Sequence, residues 1–223
     1  MMSVNLPLDN SASGKESFHP AIRITARVIS VIFHPLFIPV YISWFLIFIN
    51  PLFPAINAGD KWILLLRFVV MYTVFPLITV LLTKALGFVQ SVYLKTQKDR
   101  IIPYIVCGIY YFWMWYVLKS QPEFPRYFVM LSLAIFIASF VGLIANSFMK
   151  VSMHTISVGV MITFILLLAF LTDVNYGFYI GIAFLLAGAV STARLINNDH
   201  YPIEVYAGLI IGIVSQLVAY YFV

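Results

Sequence analysis

Charged side chains and cysteines are scarce in this sequence. Charged residues make up 9% of its 223 residues, against 63% for hydrophobic ones. A soluble domain carries about 25% charged residues, so this composition excludes an ordinary water-soluble fold and favours the bilayer as solvent. The single cysteine, Cys107, excludes an intrachain disulfide. The formal net charge is +5, but no basic stripe lies on a polar surface, which argues against a nucleic-acid partner.

Long apolar stretches, in contrast, fill most of the chain. Each of the seven is long enough to cross a hydrocarbon core of about 30 Å as a helix. They lie near residues 26–49, 61–87, 101–118, 127–148, 154–172, 176–193 and 204–223. In the first stretch, His34-Pro35 and Pro39 leave a bent or re-entrant element open as an alternative to a full span. Residues 1–24 are polar and predict a tail rather than a signal peptide, and residues 25–223 predict one transmembrane helical domain.

Three polar breaks between these stretches hold the unusual side chains. They cover residues 95–103, 146–154 and 194–204. Two apolar stretches separate the first break from the second, and two more separate the second from the third. An even number of crossings returns a chain to the same side, so we expect all three breaks on one membrane face. The breaks on the other face contain no histidine.

The third break combines an anion-binding group with an acid-base pair. Arg194 is followed six residues later by His200, and Glu204 lies four residues after the histidine. Pro202 suits the first turn of the last helix, and the four-residue spacing lets the carboxylate reach the imidazole ring. A carboxylate there fixes the tautomer and stabilises the imidazolium. Polar groups of this kind are costly at membrane depth, which favours a functional role.

The other two breaks add a second histidine and more positive charge. His154 stands at the mouth of the fifth stretch, and Arg100 lies in the first break. One or more of Lys95, Lys98 and Lys150 would join the two arginines. Phosphate suits such a set, because arginine binds its oxygens bidentately. One histidine can then act as nucleophile and the other as general acid.

These residues resemble the signatures of the type 2 phosphatidic acid phosphatase superfamily, over roughly residues 95–223. The third family signature is Ser-Arg, five residues, His, three residues, Asp; Arg194, His200 and Glu204 match its spacing, with Glu for Asp. The second is Pro-Ser-Gly-His, of which Ser152 and His154 match. In the first, which is Lys, six residues, Arg-Pro, Arg100 matches, Pro103 follows three residues later, and Lys95 or Lys98 must substitute for the lysine.

The resemblance implies an all-α polytopic transmembrane bundle, with a six-helix phosphatase-like core and here an extra N-terminal span. It implies that His200 attacks phosphorus and forms a phosphohistidine, that Glu204 orients His200, and that His154 protonates the leaving alkoxide. The phosphate oxygens would be held by Arg194, Arg100, Lys95 or Lys98, and Ser152. No metal or other cofactor is expected. The family favours a site that faces away from the cytoplasm.

The sequence therefore predicts a multi-pass membrane phosphatase that hydrolyses a lipid-linked phosphate monoester or pyrophosphate. Phosphatidate-like, phosphatidylglycerophosphate-like and polyprenyl phosphates are all candidate substrates, with membrane lipids as partners. The alternative is a catalytically weak or inactive protein of the same fold that binds or moves an anionic lipid.

Among the single residues, Glu204 has a second interpretation as a helix cap, and the lysines have a second interpretation as loop charges. Gly208 and Gly212 predict close helix packing, or less directly a homodimer face.

Overall fold

Long apolar helices dominate the fold. A computed structural model describes residues 18–54, 56–89, 94 and 96–223, and within these residues the regular structure is helical. Six helices are long and apolar enough to cross a membrane. They are α3 and α4 together (Ala58–Ala85), α5 (Gln97–Ser120), α6 (Arg126–Asn146), α7 (Met153–Leu171), α8 (Gly177–Ile196) and α9 (Pro202–Phe222). This confirms the prediction of a polytopic helical bundle.

The first apolar stretch is bent, which is one of the two forms that the sequence left open. Helix α1 covers Pro20–Ile32, so it begins within the segment expected to be a polar tail. The chain then turns at His34-Pro35, and α2 (Ile38–Trp44) continues as a π-helical turn to Ile49. These 12 residues rise about 18 Å, short of the roughly 30 Å that a full crossing needs.

A π-helical turn also interrupts the first long helix, and proline explains it. Helix α3 (Ala58–Val69) runs through the turn Val70–Val74 into α4 (Phe75–Ala85). Pro76 has no N–H to donate, and its ring would clash with the carbonyl four residues earlier in a regular helix. Widening the preceding turn accommodates the proline without ending the span.

The two helices that carry His154 and Glu204 approach each other through glycines. Helices α7 and α9 meet along a seam formed by Gly159, Gly208 and Gly212. A methyl group on Gly208 would lie 2.7 Å from the Ser152 carbonyl oxygen, and one on Gly212 would overlap the Ile156 carbonyl. Glycine is therefore required for this spacing. Helix α7 covers Gly208 and Gly212 of α9, so the predicted close packing occurs within one chain. These glycines therefore offer no free face to a second copy.

Candidate functional site

The loop before α7 brings the three polar breaks together at one end of the bundle. The Val151 carbonyl accepts a hydrogen bond of 2.8 Å from Nη1 of Arg100, which lies in the first break. The Lys150 carbonyl lies 3.0 Å from Nδ1 of His200, in the third break. The Ser152 N–H donates to the Glu204 carbonyl at 3.2 Å. The loop is itself part of the second break, and the first and third breaks contact it through different peptide groups.

The end of α8 and the start of α9 determine the positions of His200 and Glu204. Asn198 follows the end of α8 with φ 55°, the left-handed conformation that asparagine tolerates, and its N–H donates to the Leu195 carbonyl. This turn directs the chain back toward the loop before α7. Pro202 then opens α9, and Glu204 lies in its first turn. The Glu204 carboxylate accepts hydrogen bonds from the Tyr201 N–H at 3.1 Å and from the His200 ring, so it caps the helix and holds the histidine.

The tautomer of His200 follows from its partners. Its Nδ1 faces two acceptors, the Glu204 carboxylate at 2.9 Å and the Lys150 carbonyl at 3.0 Å. Neither can donate, so Nδ1 carries the hydrogen. Among the described residues Nε2 makes no hydrogen bond, and in the neutral ring its lone pair is free.

Burial and nearby cations keep the His200 ring neutral. Burial is the main cause that lowers the pKa of His200 to about 3, and the charges of Arg194, Arg100 and Lys150 lower it further. The same cations lie close enough to attract an anion to this end of the bundle. Burial, followed by the charge of Arg100, also lowers the pKa of the Lys150 ammonium.

The positive groups differ in how firmly they are held. Arg100 is buried, with its Nε donating to the Leu94 carbonyl at 2.9 Å and its Nη1 to Val151. Arg194 forms an ion pair of 2.8 Å with Asp199, whose side chain is 45% exposed. The Nε of Arg194 is buried and has no hydrogen-bond partner among the described residues. Lys150 donates to the Asp199 carbonyl at 2.9 Å. Of these three described cations, Arg194 and Lys150 are therefore the ones that an incoming anion can reach.

His154 lies in the first turn of α7 and contacts α1 and the turn that follows it. Its Nε2 lies 3.0 Å from the Ser30 carbonyl of α1. The rings of His154 and His34 meet edge to face, with centroids 5.3 Å apart. His154 is within electrostatic range of Arg194, His34 and His200. The two histidines that the sequence paired thus lie in one cluster.

Ser152 and Lys98, two residues proposed to bind phosphate, do not have free side chains at the cations of the site. Ser152 is fully buried and its Oγ accepts from the Thr155 N–H, so its hydroxyl caps α7. Lys98 is exposed in the first turn of α5. Lys95 lies outside the described residues. Lys150, the third lysine considered from the sequence, does act on His200 through its charge.

Sequence reasoning missed the parts of the site that come from non-local packing. In the sequence His34 belongs only to the bent or re-entrant alternative at His34-Pro35, and nothing in its spacing indicates a contact with His154. Arg194 and Asp199 are five residues apart, outside the three- and four-residue spacings that predict a side-chain pair on a helix. The carbonyls of Lys150 and Ser30 leave no trace in side-chain patterns.

Comparison with known families assigns the chain to a group of membrane enzymes. A family model of the PAP2 superfamily matches residues 76–223, well over half of the chain. This chain belongs to the PAP2 superfamily. No curated protein and no solved structure matches it. The superfamily is one of phosphatases, and with six apolar helices this member is a multi-pass integral membrane protein. The matched region contains α5 to α9 and excludes α1, α2 and α3.

Proposed function

We propose that this protein is a lipid phosphatase that cleaves a lipid-linked phosphate monoester or pyrophosphate through a phosphohistidine at His200. The observation that carries the proposal is the anchoring of the His200 ring. Glu204 and the Lys150 carbonyl hold Nδ1–H, which leaves the Nε2 lone pair for attack on phosphorus. The low pKa of His200 keeps that lone pair available at neutral pH.

In the first step, His200 Nε2 forms a bond to phosphorus while the bond to the leaving oxygen breaks. His154, protonated once the negatively charged phosphate is bound beside it, transfers a proton to that oxygen and becomes neutral. The imidazole of His200 gains positive charge as the bond forms, and the Glu204 carboxylate at 2.9 Å stabilises it. Glu204 thus stabilises charge on the attacking His200 on one side of the phosphorus, and His154 donates a proton to the leaving oxygen on the other side.

In the second step, water attacks phosphorus and the bond to His200 breaks. Neutral His154 accepts the proton from the water, which restores its protonated form. Inorganic phosphate leaves and His200 returns to the neutral state with its hydrogen on Nδ1. The cycle balances without an added acid, base or redox partner.

Binding of the phosphate would displace Asp199 from Arg194. The Asp199 side chain is 45% exposed, so it can turn to solvent as a phosphate oxygen takes its place. Arg194 and Lys150 then bind the phosphate directly, and Arg100 contributes its charge from a fixed position on the backbone. We further assign a phosphate-binding role to Lys95 or Lys98 only from the family signature.

A lipid substrate suits the surroundings of this site. A groove of about 390 Å³ lies between α1 and α8, lined mainly by apolar side chains such as Ile22, Ile29 and Ile196. It includes Ala193, the residue next to Arg194. An apolar chain of the substrate would occupy this groove while its phosphate contacts Arg194.

The family resemblance favours a site on the side of the membrane away from the cytoplasm. Cysteine labelling of the 119–126 loop, which lies at the opposite end, tests this orientation.

Phosphate release from a short-chain lipid phosphate in detergent tests the function. We expect His200→Ala to reduce release to background, because no other group in the site supplies the nucleophile. His19→Ala is a matched control, since this exposed histidine caps α1 and lies outside the site. Release by His200→Ala at the wild-type rate would reject the proposal.

One observation favours the alternative of lipid binding without catalysis. Arg100 donates to the carbonyls of Leu94 and Val151, so part of the positive charge already has a structural role. In that case vanadate and lipid phosphate would bind, and wild type and His200→Ala would both show no turnover. The same assay therefore separates the two functions.

A further inference from the structure

His154 is anchored at the opposite ring nitrogen from His200. A carbonyl oxygen only accepts hydrogen bonds, so the 3.0 Å contact between Ser30 O and His154 Nε2 requires the hydrogen on Nε2. Among the described residues Nδ1 of His154 has no hydrogen-bonding partner. His200 is held at Nδ1 and exposes Nε2, whereas His154 is held at Nε2 and exposes Nδ1.

A second histidine fixes the orientation of the His154 ring. The His34 and His154 rings are inclined at 81°, with centroids 5.3 Å apart, a favourable edge-to-face geometry. His34 is itself held, because its Nδ1 accepts from the Leu36 N–H at 3.3 Å just before α2. The His34 ring therefore restricts rotation of the His154 ring.

The N-terminal helix is tied to the end of α8 as well. Nδ2 of Asn197 donates to the Ser30 hydroxyl at 3.3 Å, and Ser30 is buried. Helices α1 and α8 pack along one another. The Ser30 carbonyl is thus held between α7 and α8, the two helices that carry His154 and Arg194.

We propose that Ser30 and His34 form a positioning element for His154, which directs its Nδ1 toward the leaving oxygen and the attacking water. This element lies outside residues 76–223, the part that the family model matches. The inference rests on the proposed function. His34 touches no reacting atom in it and is a positioning residue.

The groups facing His154 define what else bears on its protonation. They are Arg194 from α8, His200 from the loop between α8 and α9, and His34 from the turn after α1. Substituting His34 leaves the other two in place. A change in His154 function in such a variant therefore reflects the position of the His154 ring and the loss of His34, and not a change in Arg194 or His200.

Burst kinetics with p-nitrophenyl phosphate isolate the role of His34. The first turnover releases p-nitrophenolate, which needs no protonation, whereas the second step needs His154 to activate water. For His34→Ala we expect a burst of wild-type amplitude and a rate within about twofold, followed by a steady state about tenfold slower. His34→Phe keeps the edge-to-face contact and should restore most of the steady-state rate.

The burst amplitude counts folded, active enzyme, so a misfolded variant cannot imitate this result. A steady-state rate unchanged in His34→Ala overturns the inference, as does a burst rate that falls in proportion to the steady state. Wild-type protein that releases no p-nitrophenol overturns the proposed function and this inference together. A normal wild-type burst without the expected split overturns only the inference.

Discussion

The two ends of the bundle differ in whether they bury charged side chains. At the site end, Arg100 is 4% exposed and His200 8%, and each is hydrogen-bonded to backbone carbonyls. At the other end, Lys119 is exposed and lies over the Trp115 ring, 5.1 Å from its centroid. Glu123 and Asp173 at that end are exposed as well.

Aromatic packing and neutral hydrogen bonds hold the end opposite the site. Tyr176 donates to Oδ1 of Asn50 at 3.0 Å, and Phe128 packs against Phe53 and Phe124. Among the residues that the structure describes, this end is stabilised without burying a charge. Burying a cation is energetically costly, and the opposite end packs without a buried cation. Packing alone therefore does not explain the buried cations at the site end. The comparison supports our proposal that the buried charges mark the functional end.

The largest effect expected from a single atom change at the site end concerns Glu204. Glu204→Gln keeps the shape but removes the charge that stabilises the His200 imidazolium, and its amide can favour the wrong tautomer. We expect kcat to fall by about tenfold or more with little change in KM, by analogy with other orienting carboxylates. Steady-state kinetics on a short-chain lipid phosphate measure it.

Glu204→Asp is the control for this prediction, because it places the family's residue at the position. It should keep substantial activity. Glu204→Gln at wild-type kcat would mean that Glu204 acts only as a cap for α9, where its carboxylate accepts from the Tyr201 N–H.

A smaller effect is expected from Asp199, which occupies Arg194 in the absence of substrate. Asp199→Asn removes a competitor for the guanidinium, so vanadate should bind up to about fivefold more tightly, the range of an exposed ion pair. Competitive inhibition by vanadate measures the change. Glu123→Gln makes the same charge change at the opposite end and should leave vanadate affinity unaltered. Equal effects of the two variants would show that only net charge matters and would contradict the comparison.

Hydrophobic pattern and crossing parity were enough to predict the helical bundle and to group the three polar breaks. The spacing of His200 and Glu204 was readable because both lie within one turn of a helix start, where contacts are local. The bend after α1 was left open, since proline permits either a kink or a break. The contact of His34 with His154 joins residues 120 positions apart, and backbone carbonyls such as Ser30 O have no side-chain signal.

Trapping the phosphoenzyme tests the central claim most directly. The enzyme is mixed with p-nitrophenyl phosphate, quenched in base, where phosphohistidine survives, and mapped by mass spectrometry. We predict one phosphate on His200, with more accumulating in His154→Ala because water activation is lost, and none in His200→Ala. Turnover with no phosphate on His200, or phosphate on His154 instead, would contradict the assignment of His200 as the nucleophile.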